Sequence, residues 1–365
     1  MTKRFHTLRH HIPRYAPVCG GVFLCCLALS LGFRASPAFA DLFNRTAGSG
    51  VRLFLTKVSG LLPFSIAELM LLYLPALVVY LCVHAVRAKH SIRRFLLRFL
   101  CGVLSAAAIF YALFVCTMAP GYRGSPLAHR LGLVRRDVTA EELYDAINIV
   151  IDEVNAAAAE VKFSADGSSP MPVDLFTLSD TLSDAYRTVG EKYAFLSFDS
   201  AKVKPLFISR WMTYTHISGV YSFFTGEANL NTNYPDYVCV YSAAHEMAHQ
   251  RGVAREDEAN FVAFLVCISS EDPYLRYSGY LSMYSYLSSA LGKADAALRQ
   301  NAAARLCDEA RGELFAYSAF FDAYRESTAA KVADTVNDTY LKGQGTVGAA
   351  SYGMVADLAV VYLLG

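Results

Sequence analysis

Charge is what this chain has least of. Of its 365 residues only 18% are charged, against 54% hydrophobic, and the basic and acidic side chains nearly cancel to a net +1. So even a balance offers no electrostatic footprint for a nucleic acid, so no nucleic-acid partner is expected. So apolar a composition also departs from that of an ordinary soluble domain. A disulfide framework is missing as well. Of the nine cysteines, Cys19, Cys25, Cys26, Cys82, Cys101 and Cys116 fall in apolar runs, and only Cys239, Cys267 and Cys307 lie elsewhere. Those three lack the close spacing of a cysteine zinc site. Cys239 and Cys267 could pair across adjacent helices, but separate buried thiols are the expectation. There is no glycine-rich phosphate loop, serine nucleophile elbow, internal repeat or long low-complexity tract.

What the chain does have begins with three apolar runs, at about 17–35, 61–86 and 99–119. Each is near the roughly 20 residues that cross a bilayer as a helix. Lys3, Arg4, Arg9 and Arg14 precede the first run, and Ala38-Phe39-Ala40 follows it. That pattern suits either a cleavable signal or a retained anchor, and the retained anchor is the reading adopted. The basic N-terminal tail and the basic stretch Arg87 to Arg94 belong on the cytoplasmic side. The second and third runs then form a hairpin, and the rest lies outside. Glu68 and His84, near opposite ends of the second run, read as interfacial groups rather than functional intramembrane ones. The expected protein is thus a multi-pass protein of the cell membrane in contact with the lipid bilayer. Its membrane region is 1–119 and its extracytoplasmic domain 120–365.

The most informative stretch is His245-Glu246-Met247-Ala248-His249. Residues four apart on a helix share a face, so the two imidazoles stand side by side and suit one Zn2+ ion. Glu246 then sits where a general base for a metal-activated water belongs. Gly252 is a natural helix stop, because glycine accepts left-handed geometry. A second helix is expected from about Glu256 through Cys267. Catalytic zinc commonly takes three protein ligands and keeps one position open. The third ligand should come from Glu256, Asp257 or Glu258. Glu258 projects about 200° around the helix from Glu256. Glu256 is favoured, with Glu258 as the alternative. Asn260, one turn after Glu256, is placed to steady that carboxylate or a histidine.

His245-Glu246-x-x-His249 with Glu256-x-x-Ala259-Asn260 resembles the gluzincin pattern, in which a glutamate opening the second helix is the third zinc ligand. The gap between His249 and Glu256 is shorter than in better-known gluzincins. Leu62-Pro63-Phe64-Ser65, Thr225 to Asn231 and Asn337 to Lys342 further resemble segments of the bacterial family called domain of unknown function 3810. These are membrane proteins with a zinc-peptidase-like signature. The resemblance implies a metallopeptidase-like fold and names no substrate. It also implies an edge strand that binds an extended peptide by strand addition; Glu227 to Asn231 is the best match, with Glu227, Ala228 and Asn229 as substrate-binding residues.

The outer domain is expected to be α+β and mostly helical. Thr139-Ala140-Glu141-Glu142 reads as a capping box that opens a helix to about Val161. A second helix covers Leu178 to Tyr193. Phe207 to Ser209, Gly219 to Phe224 and Ala228 to Asn231 have strand composition and suggest a small sheet before the histidine helix. The tyrosines at 274, 277, 280, 284 and 286 read as core, and Met354 to Leu364 as a buried terminal helix. The leading function is a membrane-anchored zinc peptidase acting on a peptide or protein. In it His245, His249 and Glu256 hold Zn2+ and Glu246 is the catalytic base. Tyr214, His216, Tyr340 and Tyr352 compete to steady the oxyanion. The rival is a non-catalytic, membrane-anchored zinc- or peptide-binding module, for which Glu246 would be superfluous.

Overall fold

The computed structural model describes residues 13–87, 92–348 and 354–365. Within them the chain is mostly helical with one three-stranded sheet. The first part holds α1 (Tyr15–Ala35), α2 (Pro37–Phe43), α3 (Ser49–Ser59), α4 (Ile66–Arg87) and α5 (Ile92–Thr117). Stretches of α1, α4 and α5, namely Tyr15–Ala35, Ile66–Val83 and Phe95–Thr117, are long and apolar enough to cross a membrane. Their side chains are largely unburied by the protein, the surface expected of helices that face lipid. α1 packs along α5 through Cys26, Phe33 and a Phe23–Tyr111 ring contact at 5.2 Å. Ala38-Phe39-Ala40 lies inside α2, and Ala40 is fully buried.

The second part runs α6 (Ala119–Arg123), α7 (Leu127–Leu131), α8 (Ala140–Ala158), α9 (Leu175–Lys192), β1 (Lys204–Pro205), α10 (Ser209–Met212), β2 (Gly219–Ser222) and β3 (Glu227–Leu230). It continues with α11 (Asp236–Gln250), α12 (Glu256–Ile268), α13 (Pro273–Ala294), α14 (Ala296–Ala303), α15 (Asp308–Asp322), α16 (Thr328–Gly343) and α17 (Val355–Leu364). The expected capping box is present. The Thr139 hydroxyl accepts from the Glu142 N–H, and Glu142 accepts from the Thr139 N–H. The Asp174 side chain caps α9 by accepting from the Phe176 and Thr177 N–H groups. One apolar core joins α8, α9, α11, α12, α13 and α17, and Tyr274, Tyr277 and Tyr284 are buried in it. Cys239 and Cys267 are separate buried thiols.

The sheet order is β1-β3-β2, with β1 parallel and β2 antiparallel to β3. Phe207, Ile208 and Ser209, expected as strand, instead lead into the short α10. The Glu68 carboxylate accepts the Phe207 and Ile208 N–H groups at 3.0 and 2.8 Å, which takes them away from any ladder. The strand before them is only Lys204–Pro205, at a sheet edge where proline is tolerated.

The segment 44–59 falls in the membrane region by position but is built into the domain. A π-helical turn, Asn44–Gly48, leads into α3. From α3 the Arg52 guanidinium donates to the Gln250 and Thr117 carbonyls at 3.2 and 2.9 Å, and to the Asn44 side chain and carbonyl at 2.7 and 2.9 Å. Asn44 donates onward to the Gly252 carbonyl. These bonds lock the end of α5 to the end of α11.

Candidate metal centre

The histidine helix ends in a left-handed glycine turn. Gly252 has φ 82°, its N–H donates to the His249 carbonyl, and the Val253 N–H donates to Ala248. This double closure is the Schellman arrangement. A side chain at Gly252 would meet Arg52 at 2.5 Å and Asn44 at 2.6 Å. The turn therefore requires glycine for both conformation and space. It also aims the Val253 carbonyl at His249, whose Nδ1 lies 2.7 Å away. The chain then reverses into α12, whose first turn carries Glu256, Asp257 and Glu258, where the helix dipole favours acids.

The three acids face different ways. Glu256 Oε2 lies 3.1 Å from His245 Nε2 and 3.7 Å from His249 Nε2, and the two imidazole nitrogens are 3.1 Å apart. Asp257 pairs with Arg135 at 2.8 Å. Glu258 accepts from the Leu127 N–H and from Arg255. The alternative ligand Glu258 thus points into a structural ion cluster. Asn260 Oδ1 accepts from His245 Nδ1 at 2.8 Å, so its partner is the histidine rather than Glu256.

With both Nδ1–H groups donated to oxygens, each Nε2 turns a lone pair inward. When both rings are neutral, two acceptor nitrogens and a carboxylate oxygen therefore converge. Such a set could hold a metal ion. Zinc at 2.0–2.1 Å from its ligands in tetrahedral geometry separates those ligands by about 3.3 Å. The observed triangle of 3.1, 3.1 and 3.7 Å fits it. A proton and a metal ion compete for these same lone pairs. Burial opposes charge on His249, yet the Glu256 carboxylate outweighs it and lifts the imidazole to about 9. Burial also opposes charge on Glu256, but the two imidazoles hold its carboxyl well below the usual range.

Glu246 is buried beside this triangle, and burial raises its carboxyl while the imidazoles pull the other way. It packs against β2 so closely that a Cβ at Gly219 would lie 2.6 Å from its Oε1. Tyr186 holds the same helix from behind, donating to the Ala244 carbonyl at 2.7 Å.

The other expected residues sort clearly. β3 is the central strand, paired with β2 along its length and with β1 at Asn229 and Leu230, and Glu227, Ala228 and Asn229 are buried. Glu227 instead pairs with Lys204 and accepts the Ile66 and Ala67 N–H groups at the start of α4. The strand beside Glu246 with an unpaired side is β2. His216 is engaged with the Tyr324 carbonyl at 2.8 Å, and Tyr214 packs on Tyr324. Tyr340 bonds Tyr122, and burial, helped by the Glu256 charge, raises its phenol to about 12. Tyr352 lies outside the described residues. Sequence reasoning missed Arg52, Asn44, Val253 and Gly219. Only Gly252 hinted at what must pack close to the turn.

The family described as Protein of unknown function (DUF3810) matches this chain over residues 44–360. No curated protein and no solved structure matches it.

Proposed function

The chain belongs to that family, and on that premise we propose that it is a membrane-anchored, zinc-dependent, gluzincin-like peptidase with a zincin-like outer domain. The observation that carries the reading is the convergence of His245, His249 and Glu256, with Glu246 packed next to it. A zinc ion held there would polarise a peptide carbonyl and acidify the attacking water. Glu246 accepts the proton of that water and returns it to the leaving amine. Its raised pKa direction suits both halves of that task. Asn260 and the Val253 carbonyl fix the two imidazoles, so the ligand set is assembled before substrate arrives. An extended substrate adds to the unpaired edge of β2, where Gly219 leaves room against Glu246. The domain is taken to be extracytoplasmic, a reading that the basic residues between 87 and 94 support.

The test uses the purified full chain. Wild type should carry zinc and cleave members of a peptide library. Glu246→Gln should keep the zinc and lose about 10²–10⁴-fold in turnover, because an amide cannot accept the proton. Equal rates for the variant would end the mechanism. Zinc binding with no hydrolysis by wild type would leave a binding module.

A further inference from the structure

Exposed apolar side chains lie in the segments bonded to the start of α4. Leu61, in the loop that enters the helix, is 82% exposed, Phe207 75% and Trp211 70%. Phe207 and Trp211 are four residues apart and flank the start of the short α10. Left in water, two large aromatic rings would forgo the burial that makes such side chains favourable. Their position is fixed by polar bonds to the span itself. Glu68, on the first turn of α4, holds the Phe207 and Ile208 N–H groups. Lys204 Nζ donates to the Ser59 and Phe64 carbonyls at 2.7 and 3.0 Å, and to Glu227. Glu227 in turn caps Ile66 and Ala67. The segment 204–211 is thus bolted to the end of a helix whose apolar stretch starts at Ile66.

That attachment sets a height. The end of a membrane span lies at the boundary between acyl chains and headgroups, the zone that tryptophan prefers. Arg210, exposed beside Trp211, can reach the phosphates while its stem stays in the apolar zone. We propose that Leu61, Phe207 and Trp211 form a lipid-contact surface, seated in the headgroup zone of the leaflet on the domain's side. The occupant is the phospholipid bilayer. The same segment continues through Thr213–Thr215 into β2, so the contact holds the Glu246 region at a fixed distance from the bilayer. The inference does not depend on hydrolysis.

Trp211 is the only tryptophan in the chain, so it reports on its own surroundings. The full chain is placed in phosphatidylcholine nanodiscs, which leave both faces open to water. With lipids brominated near the headgroup end of the chains, the emission should lose most of its intensity. Bromines at the chain termini should quench it less, and iodide in the buffer should quench it little. Strong iodide quenching without bromine dependence would overturn the proposal by placing Trp211 in water. Strongest quenching by terminal bromines would overturn it by placing the ring in the bilayer centre. Insensitivity to both would overturn it by showing a protein cover.

Discussion

Two buried polar clusters flank the end of α11, and they are opposites. At one, His245, His249 and Glu256 bring three possible metal-ligand atoms together. At the other, Arg52 brings a cation into four acceptors drawn from Asn44, Thr117 and Gln250. Burial lowers Arg52 to about 10, which still leaves it charged at neutral pH. Buried charge is tolerated where hydrogen bonds complete it. The arginine cluster is complete within the chain and reads as architecture. The histidine cluster is incomplete within the chain and reads as a binding site. The two are joined by one turn, since Gly252 touches Arg52 and the next residue, Val253, orients His249.

The sharpest way to break this comparison is to remove an acceptor from the incomplete cluster. His245→Ala or His249→Ala should take zinc from about one ion per chain to none while the chain stays folded. Elemental analysis of the detergent-solubilised protein reads the first quantity and circular dichroism the second. Zinc retained at full occupancy in both variants would erase the distinction between the clusters.

Removing the cation from the complete cluster should do the reverse. Arg52→Met leaves buried carbonyls of Gln250 and Thr117 without a donor, at a cost of about 3 kcal/mol or more. Thermal unfolding should show that loss, and the fraction still folded should keep its zinc. A variant as stable as wild type would mean that the carbonyls find other donors.

The contrast also explains what could be read from the sequence. The histidine cluster is made by spacing along two neighbouring helices, so helical period alone brings His245, His249, Glu256 and Asn260 together. Helix angle favoured Glu256 and left Glu258 as the alternative, which its bonds to the Leu127 N–H and Arg255 then turned away. The arginine cluster joins residues 52, 117 and 250 through backbone carbonyls, which no side-chain pattern records. β3 was misplaced for a related reason. Its composition announces a strand, but whether a strand is central or at an edge depends on what pairs with it, and here the pair includes the two-residue β1. The three spans were legible because lipid exposure selects continuous apolarity. The fate of Phe207 was not, because a carboxylate distant in sequence takes its N–H.

A milder change tests whether orientation of the ligands matters as well as their presence. Asn260→Ala removes the acceptor that holds His245 Nδ1 without touching the triangle. Loss of such a partner typically costs 10–100-fold in metal affinity. A chelator competition on the purified chain should show a drop of about that size, with full occupancy regained at high zinc. An unchanged affinity would mean that packing alone sets the imidazole.

The smallest expected effect on metal carries the finest version of the comparison, because it lies within one helical turn. Glu256 and Glu258 are two residues apart on α12, the first half-buried and the second buried. Glu256 faces the two imidazoles, whereas Glu258 faces Leu127 N–H, Arg255 and Arg130. Glu258 therefore already has its cations, as Arg52 already has its acceptors. Glu258→Gln should leave zinc affinity unchanged and lower stability by about 1–3 kcal/mol, the range for hydrogen bonds to charged groups. Paired titrations and melts separate the two readouts. If the glutamine variant loses zinc at unchanged stability, Glu258 belongs to the metal cluster. The division between a complete architectural site and an incomplete binding site would then fail on the helix where the two lie closest.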